Sequence, residues 1–212
     1  MTENITVFKQ NSIRISSSGG VIYVDPFQME EAPHDAAFVL ITHGHYDHFS
    51  PESIEMVANG ETVLIAPEKM LSKAQEVSGF VGEIVTVRPG ERRSVSGLEF
   101  ETVPAYNVSK PFHPKSAEWV GYVLVIDGKR IYIAGDTDAT EEAGAVRCDI
   151  ALVPVGGTYT MDAKAAAELV NTIRPEVAIP VHYGGIVGSA RDGEKFAKKV
   201  KAPVKAELKI RF

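Results

Sequence analysis

Short apolar runs dominate the first half of the chain, most of them alternating with polar residues or stopping at glycine, proline, asparagine or charge. ITVF, SIRIS and VIYVD near the start, then AFVLI, TVLIA and EIVTV, predict half-buried or buried strands. GLEFETVPA and WVGYVLVIDGKRIYIAGD continue the pattern, and Asp127-Gly128 between two apolar runs predicts a hairpin. Helical spacing of apolar residues appears at SPESIEMVAN, PEKMLSKAQEV, TMDAKAAAELVNTI and SARDGEKFAKKV. Ser50 before Pro51 reads as an N-cap with proline at the first helical position. The later part alternates strand DIALVPV, helix, strand EVAIPV, helix and a final strand near AELKIRF. Two strand-rich halves with helices predict stacked sheets with helices outside, an α/β or α+β class.

Composition narrows the class. The chain has 212 residues, 44% hydrophobic and 24% charged, long enough for one domain, residues 1–212, with a substantial core. A net charge of -6 gives no general attraction for nucleic acid, so no nucleic-acid partner is expected. The single cysteine, Cys148, excludes an intramolecular disulfide and fits a reducing compartment. MTENITVFKQNSIRIS does not read as a signal peptide, and no apolar run approaches the roughly 20 residues of a membrane span. A cytoplasmic protein without a membrane span is the expectation; oligomeric state is left open.

The chemistry concentrates in FVLITHGHYDHFS, residues 38–50, which holds three of the six histidines, His43, His45 and His48, together with Asp47. VLIT is a strand pattern, so His43 falls where a strand passes into a loop. Alternate residues of an extended segment share a face, which lets His43 and His45 point the same way while Asp47 and His48 follow in a turn. Imidazole nitrogen and carboxylate oxygen are ligands of zinc and similar divalent metals. Four of them at this spacing predict a metal site. Asp136 ends the strand IYIAG, and His182 follows the strand EVAIP. His34, in the acidic loop EEAPHDAAF, reads as a surface histidine.

His43-x-His45-x-Asp47-His48 after such a strand resembles the signature of the metallo-β-lactamase superfamily. Asp25-Pro26-Phe27, Gly135-Asp136-Thr137 and Pro180-Val181-His182-Tyr183 extend the resemblance through most of the chain. It implies a four-layer αββα sandwich and two divalent metal ions, zinc or alternatively manganese or iron. His43 and His45 would then hold one metal, Asp47, His48 and His182 the other, and Asp136 would bridge them. With GGTYTM at 156–161 and PVHYG later, the chain is similar to the compact metal-dependent hydrolases that include L-ascorbate-6-phosphate lactonase.

The pattern departs at ETVPAYNVSKPFHPKSAEWVGY, where Tyr106-Asn107 stands in place of the expected histidine. Two accounts are open: His113 swings in from a loop as the remaining ligand, or Asn107 supplies a weaker amide oxygen. A dinuclear centre with a bridging hydroxide implies hydrolysis of an ester, lactone or phosphodiester bond in a small molecule, with Asp47 orienting water or accepting a proton. The contrasting function is a metal-binding sensor on the same fold without turnover. Lys110 and Lys115 could attract an anionic substrate group, and Tyr159 and Tyr183 are further candidate substrate contacts. Thr158 or Thr160 could instead cap the helix DAKAAAELVNTI.

Overall fold

The computed structural model describes residues 2–210. The chain forms two compact units, Met1–Arg88 and Pro89–Phe212. No helix among the described residues is long and apolar enough to cross a membrane.

The first unit holds a sheet whose strands run in chain order: β1 Ile5–Val7, β2 Ile13–Ser17, β3 Gly20–Val24, β4 Ala36–Leu40, β5 Val63–Pro67 and β6 Glu83–Val87. The first three pair antiparallel, and β3 to β6 pair parallel. The apolar run VLIAP of β5 is buried throughout, as expected of a strand covered on both faces. Helix α1, Pro51–Val57, starts at Ser50, whose hydroxyl accepts from the Ser53 amide at 3.2 Å, with Pro51 at the first helical position. Its Ile54 and Val57 pack with Phe49, Leu64 and Met70. PEKMLSKAQEV is helical only in pieces, with α2 confined to Leu71–Ala74 between two 3-10 turns.

The second unit is a seven-stranded sheet: β7 Arg92–Val95, β8 Leu98–Pro104, β9 Val120–Ile126, β10 Lys129–Ile133, β11 Ile150–Pro154, β12 Val177–Val181 and β13 Lys205–Ala206. Strands β7 to β10 are antiparallel and β10 to β13 parallel. The hairpin between β9 and β10 turns at Asp127-Gly128, both at positive φ, as an Asp-Gly type I′ turn requires. Three helices accompany this sheet: α3 Glu141–Gly144, α4 Ala163–Ile173 and α5 Asp192–Ala197. Ala166, Ala167, Val170 and Ile173 of α4 pack among Val153, Ala178 and Phe196.

Several expectations from sequence are corrected. Asp162, not Thr158 or Thr160, caps α4, accepting from the Lys164 and Ala165 amides at 3.0 and 2.8 Å; its carboxylate sits one residue before the helix, where both orphan donors are in reach. The final strand stops at Ala206, and Arg211-Phe212 of the expected AELKIRF strand lie outside the described residues. Strand β7 and helix α3 gave no apolar pattern: RRSV is mostly exposed, and EEAG is a single turn.

Gly121, the second residue of β9, is required by backbone packing, since a Cβ there would stand 2.6 Å from the Ala134 carbonyl oxygen. Gly121→Ala is expected to lower stability by about 1–3 kcal/mol through overpacking. The control Gly60→Ala, where a Cβ meets nothing within 4 Å, should stay within about 0.5 kcal/mol. Urea unfolding of both variants measures the difference.

Candidate metal centre

In the first unit the candidate side chains follow the carboxyl end of β4, where ligands collect in parallel sheets. The neighbouring parallel strand β3 ends one residue before Asp25, so Asp25 and Thr42 emerge side by side. Asp25 is fully buried, at a left-handed φ of 46° that only a fixed environment holds in a non-glycine residue. Its carboxylate accepts from the Thr42 amide at 2.7 Å, the Thr42 hydroxyl at 2.6 Å, Asn11 Nδ2 at 2.8 Å and His48 Nδ1 at 2.7 Å. Four donors satisfy a buried charge that would otherwise be costly.

This network fixes two imidazole tautomers. Because the Thr42 hydroxyl spends its proton on Asp25, its oxygen accepts from His43 Nδ1 at 3.0 Å. His48 likewise donates from Nδ1 to Asp25. Both rings therefore keep the lone pair on Nε2, the state a metal ligand needs. His43 Nε2 lies 3.0 Å from His45 Nδ1, and His48 Nε2 lies 3.7 Å from Asp47 Oδ2. Two ligands of one tetrahedral cation stand about 3.3 Å apart, so these spacings fit donors to a shared ion. Lys73 donates to the Gly44 carbonyl and lies 5.2 Å above the Phe49 ring, bracing the loop that carries His43 and His45.

In the second unit Asp136 follows β10 and His182 follows β12, two parallel strands flanking β11, so both leave the same sheet edge. His182 holds a φ of 58°, again left-handed. Asp136 Oδ1 lies 3.3 Å from His182 Nε2, and Oδ2 lies 3.3 Å from His113 Nε2. One carboxylate thus offers a separate oxygen to each of two imidazoles at ligand-to-ligand spacing. All three side chains are buried.

His113 and Asn107 are both in this unit and in direct contact. Asn107 Oδ1 accepts from the His113 amide and from His113 Nδ1, each at 3.1 Å, while its Nδ2 donates to the Tyr159 carbonyl at 2.9 Å. The amide orientation follows from these partners, since flipping it would set NH₂ against N–H donors. His113 thereby keeps its lone pair on Nε2, aimed at Asp136. Trp119 meets the His113 ring edge to face at 5.6 Å.

The remaining candidates serve the loops. Lys110 pairs with Asp138 and donates to the Thr160 carbonyl at 2.8 Å. Lys115 binds Glu142 at 2.7 Å and holds its carboxyl down to about 2. Tyr183 is buried, its ring packed on Gly193 of α5, and burial raises its pKa. Tyr159 is partly exposed, and His34 is exposed, its Nδ1 at 2.9 Å from the Ala58 carbonyl. Gly156 makes room for the His182 carbonyl, 2.4 Å from where a Cβ would sit. The Cys148 thiol is pushed up to about 12, first by burial and then by Asp149, which removes it as a nucleophile at neutral pH. Sequence reasoning missed the roles of Asp25, Thr42, Asn11 and Lys73. Only Asp25 had a signal, an aspartate directly after the apolar strand VIYV.

Comparison with known proteins shows the family. The family described as Beta-lactamase superfamily domain matches residues 4–182. A UPF0173 metal-dependent hydrolase of Methanopyrus kandleri is 30% identical over 92% of this chain and 90% of its own length. A relative of the same name from Thermoplasma acidophilum is 32% identical over 82% of this chain and 81% of its own. A crystal structure from Parabacteroides distasonis, designated a metal-dependent hydrolase, superposes with a TM-score of 0.81 at 30% identity, covering 98% of this chain and 93% of that one. The mixed α/β class with two sheets expected from sequence is thus the metallo-β-lactamase fold. The chain belongs to the beta-lactamase superfamily, among the UPF0173 metal-dependent hydrolases.

Proposed function

We propose that residues 1–212 act as one cytoplasmic hydrolase domain in which His43, His45, Asp47, His48, His113, Asp136 and His182 hold two divalent metal ions, zinc in the first instance. The observation that carries this reading is the Asp136 carboxylate, with each oxygen 3.3 Å from a different imidazole Nε2. Bound metals supply Lewis acidity and an activated water at neutral pH, the chemistry of ester, lactone or phosphodiester hydrolysis of a small molecule. The protein's own part is to hold each ring in one tautomer: Asp25 does so for His48, Thr42 for His43 and Asn107 for His113. Asn107 is a positioning residue in this reading, because its Oδ1 is spent on two His113 donors. Asp47, its side chain 11% exposed where His48 is fully buried, is the carboxylate that can orient a water or take its proton.

Metal analysis by mass spectrometry tests the ligand set. Asp136→Ala and His182→Ala should each lose about one equivalent or more while the circular dichroism of the fold is kept. Two full equivalents in both variants would sink the assignment. His113→Ala should lose about one equivalent together with hydrolysis of a lactone and phosphodiester panel. Asn107→Ala should keep metal at saturation but weaken its affinity by about 10–100-fold, the usual effect of removing a residue that orients a ligand. Equal loss of stoichiometry in Asn107→Ala would make the amide a ligand instead. Wild type that binds metal and hydrolyses nothing would favour the sensor function.

A further inference from the structure

Two loops of the second unit carry an unusual division of polar and apolar side chains. One joins β8 to β9 and contains Asn107, Val108, Lys110, Phe112 and His113; the other follows β11 and contains Tyr159 and Thr160. Their polar groups are turned inward and stitch the loops together. Asn107 Nδ2 donates to the Tyr159 carbonyl at 2.9 Å and Lys110 to the Thr160 carbonyl at 2.8 Å, while the Val108 amide donates at 2.9 Å to Asp138, in the segment that follows β10. The apolar side chains are left outward: Phe112 is 41% exposed, Tyr159 36% and Val108 68%. The Phe112 and Tyr159 rings meet edge to face at 4.7 Å and 89°, so they form one fixed wall.

That wall is tied to the candidate ligand His113 twice. Phe112 is its neighbour in the chain, and Asn107 grips both His113 and the backbone of Tyr159. The cations of the two loops do not serve it. Lys110 is paired with Asp138, and Lys115 with Glu142 and the Tyr106 hydroxyl. The ion pairs of Lys110 and Lys115 leave an anionic substrate group less to gain here, whereas an apolar one finds exposed aromatic surface.

We propose that Phe112 and Tyr159 form the subsite for an apolar alkyl or aryl arm of the substrate, so that the bond cleaved belongs to an ester or lactone with an uncharged apolar substituent. This rests on the hydrolase reading above and names its substrate class.

The test uses the 212-residue chain loaded with zinc and a series of straight-chain carboxylates from acetate to octanoate, the acid products of esters with an alkyl acyl arm. Titration calorimetry should give wild-type affinity that tightens about two- to fourfold per added methylene, as burial of apolar surface predicts. Phe112→Ala and Tyr159→Ala should flatten that gain while acetate binding and metal content stay unchanged. Both positions are exposed, so folding is not at stake, and thermal melts check it. An unchanged chain-length gain in the variants overturns the proposal, as does tighter binding of inorganic phosphate or dimethyl phosphate than of octanoate. A change confined to oligomeric state, read by light scattering, would make the wall an interface between copies and also overturn it. Two bound metals without a chain-length gain sink the subsite and spare the metal centre. A chain-length gain without metal does the reverse.

Discussion

A single buried carboxylate constrains the first ligand set. Asp25 accepts four hydrogen bonds within 2.8 Å, and three of them come from Thr42 and His48 of the histidine segment. The Thr42 amide fixes the backbone one residue before His43, the Thr42 hydroxyl passes the constraint to the His43 ring, and His48 is bound directly. Removing the carboxylate would leave Asn11, Thr42 and His48 facing a buried void and would release both rings from their tautomers. A metal site assembled from a flexible loop pays heavily in ordering entropy, and this network makes that payment during folding.

The second unit solves the same problem with a neutral group. Asn107 uses its carbonyl oxygen to hold His113 and its amide to hold the loop that follows β11, so one side chain sets the position of a ring and of the neighbouring backbone. An amide can do both because it carries an acceptor and two donors on opposite atoms, which a carboxylate does not. The left-handed backbone of His182 adds to this, aiming a side chain off the end of β12 toward Asp136 at a conformation that the surrounding strands hold in place.

Charge is distributed in keeping with that design. The lysines nearest the candidate ligand His113 are each committed to a carboxylate, and Glu142 is held down to about 2 by Lys115. These cations fasten loops, and the surface between them is aromatic.

The fold class, most strands and the candidate ligands at their ends were legible from sequence, because period-two apolar runs mark buried strands and a dense histidine motif has few meanings outside metal binding. His43, His45, Asp47, His48, Asp136 and His182 all follow or lie near the ends of such runs. Strand β7 escaped because an exposed edge strand such as RRSV has no apolar face to betray it. The cap of α4 was misread because serine, threonine and aspartate serve equally well locally, and only the turn at residues 156–162 decides which reaches the helix. Asp25 and Asn107 required the tertiary structure for a different reason. Their partners lie 23 residues away at His48 and six residues away across a loop at His113, and hydrogen bonds of that kind leave no periodicity in the chain. Sequence determined which residues carry donor atoms. The packing of parallel strands determined which of those atoms keep a lone pair, and where it points.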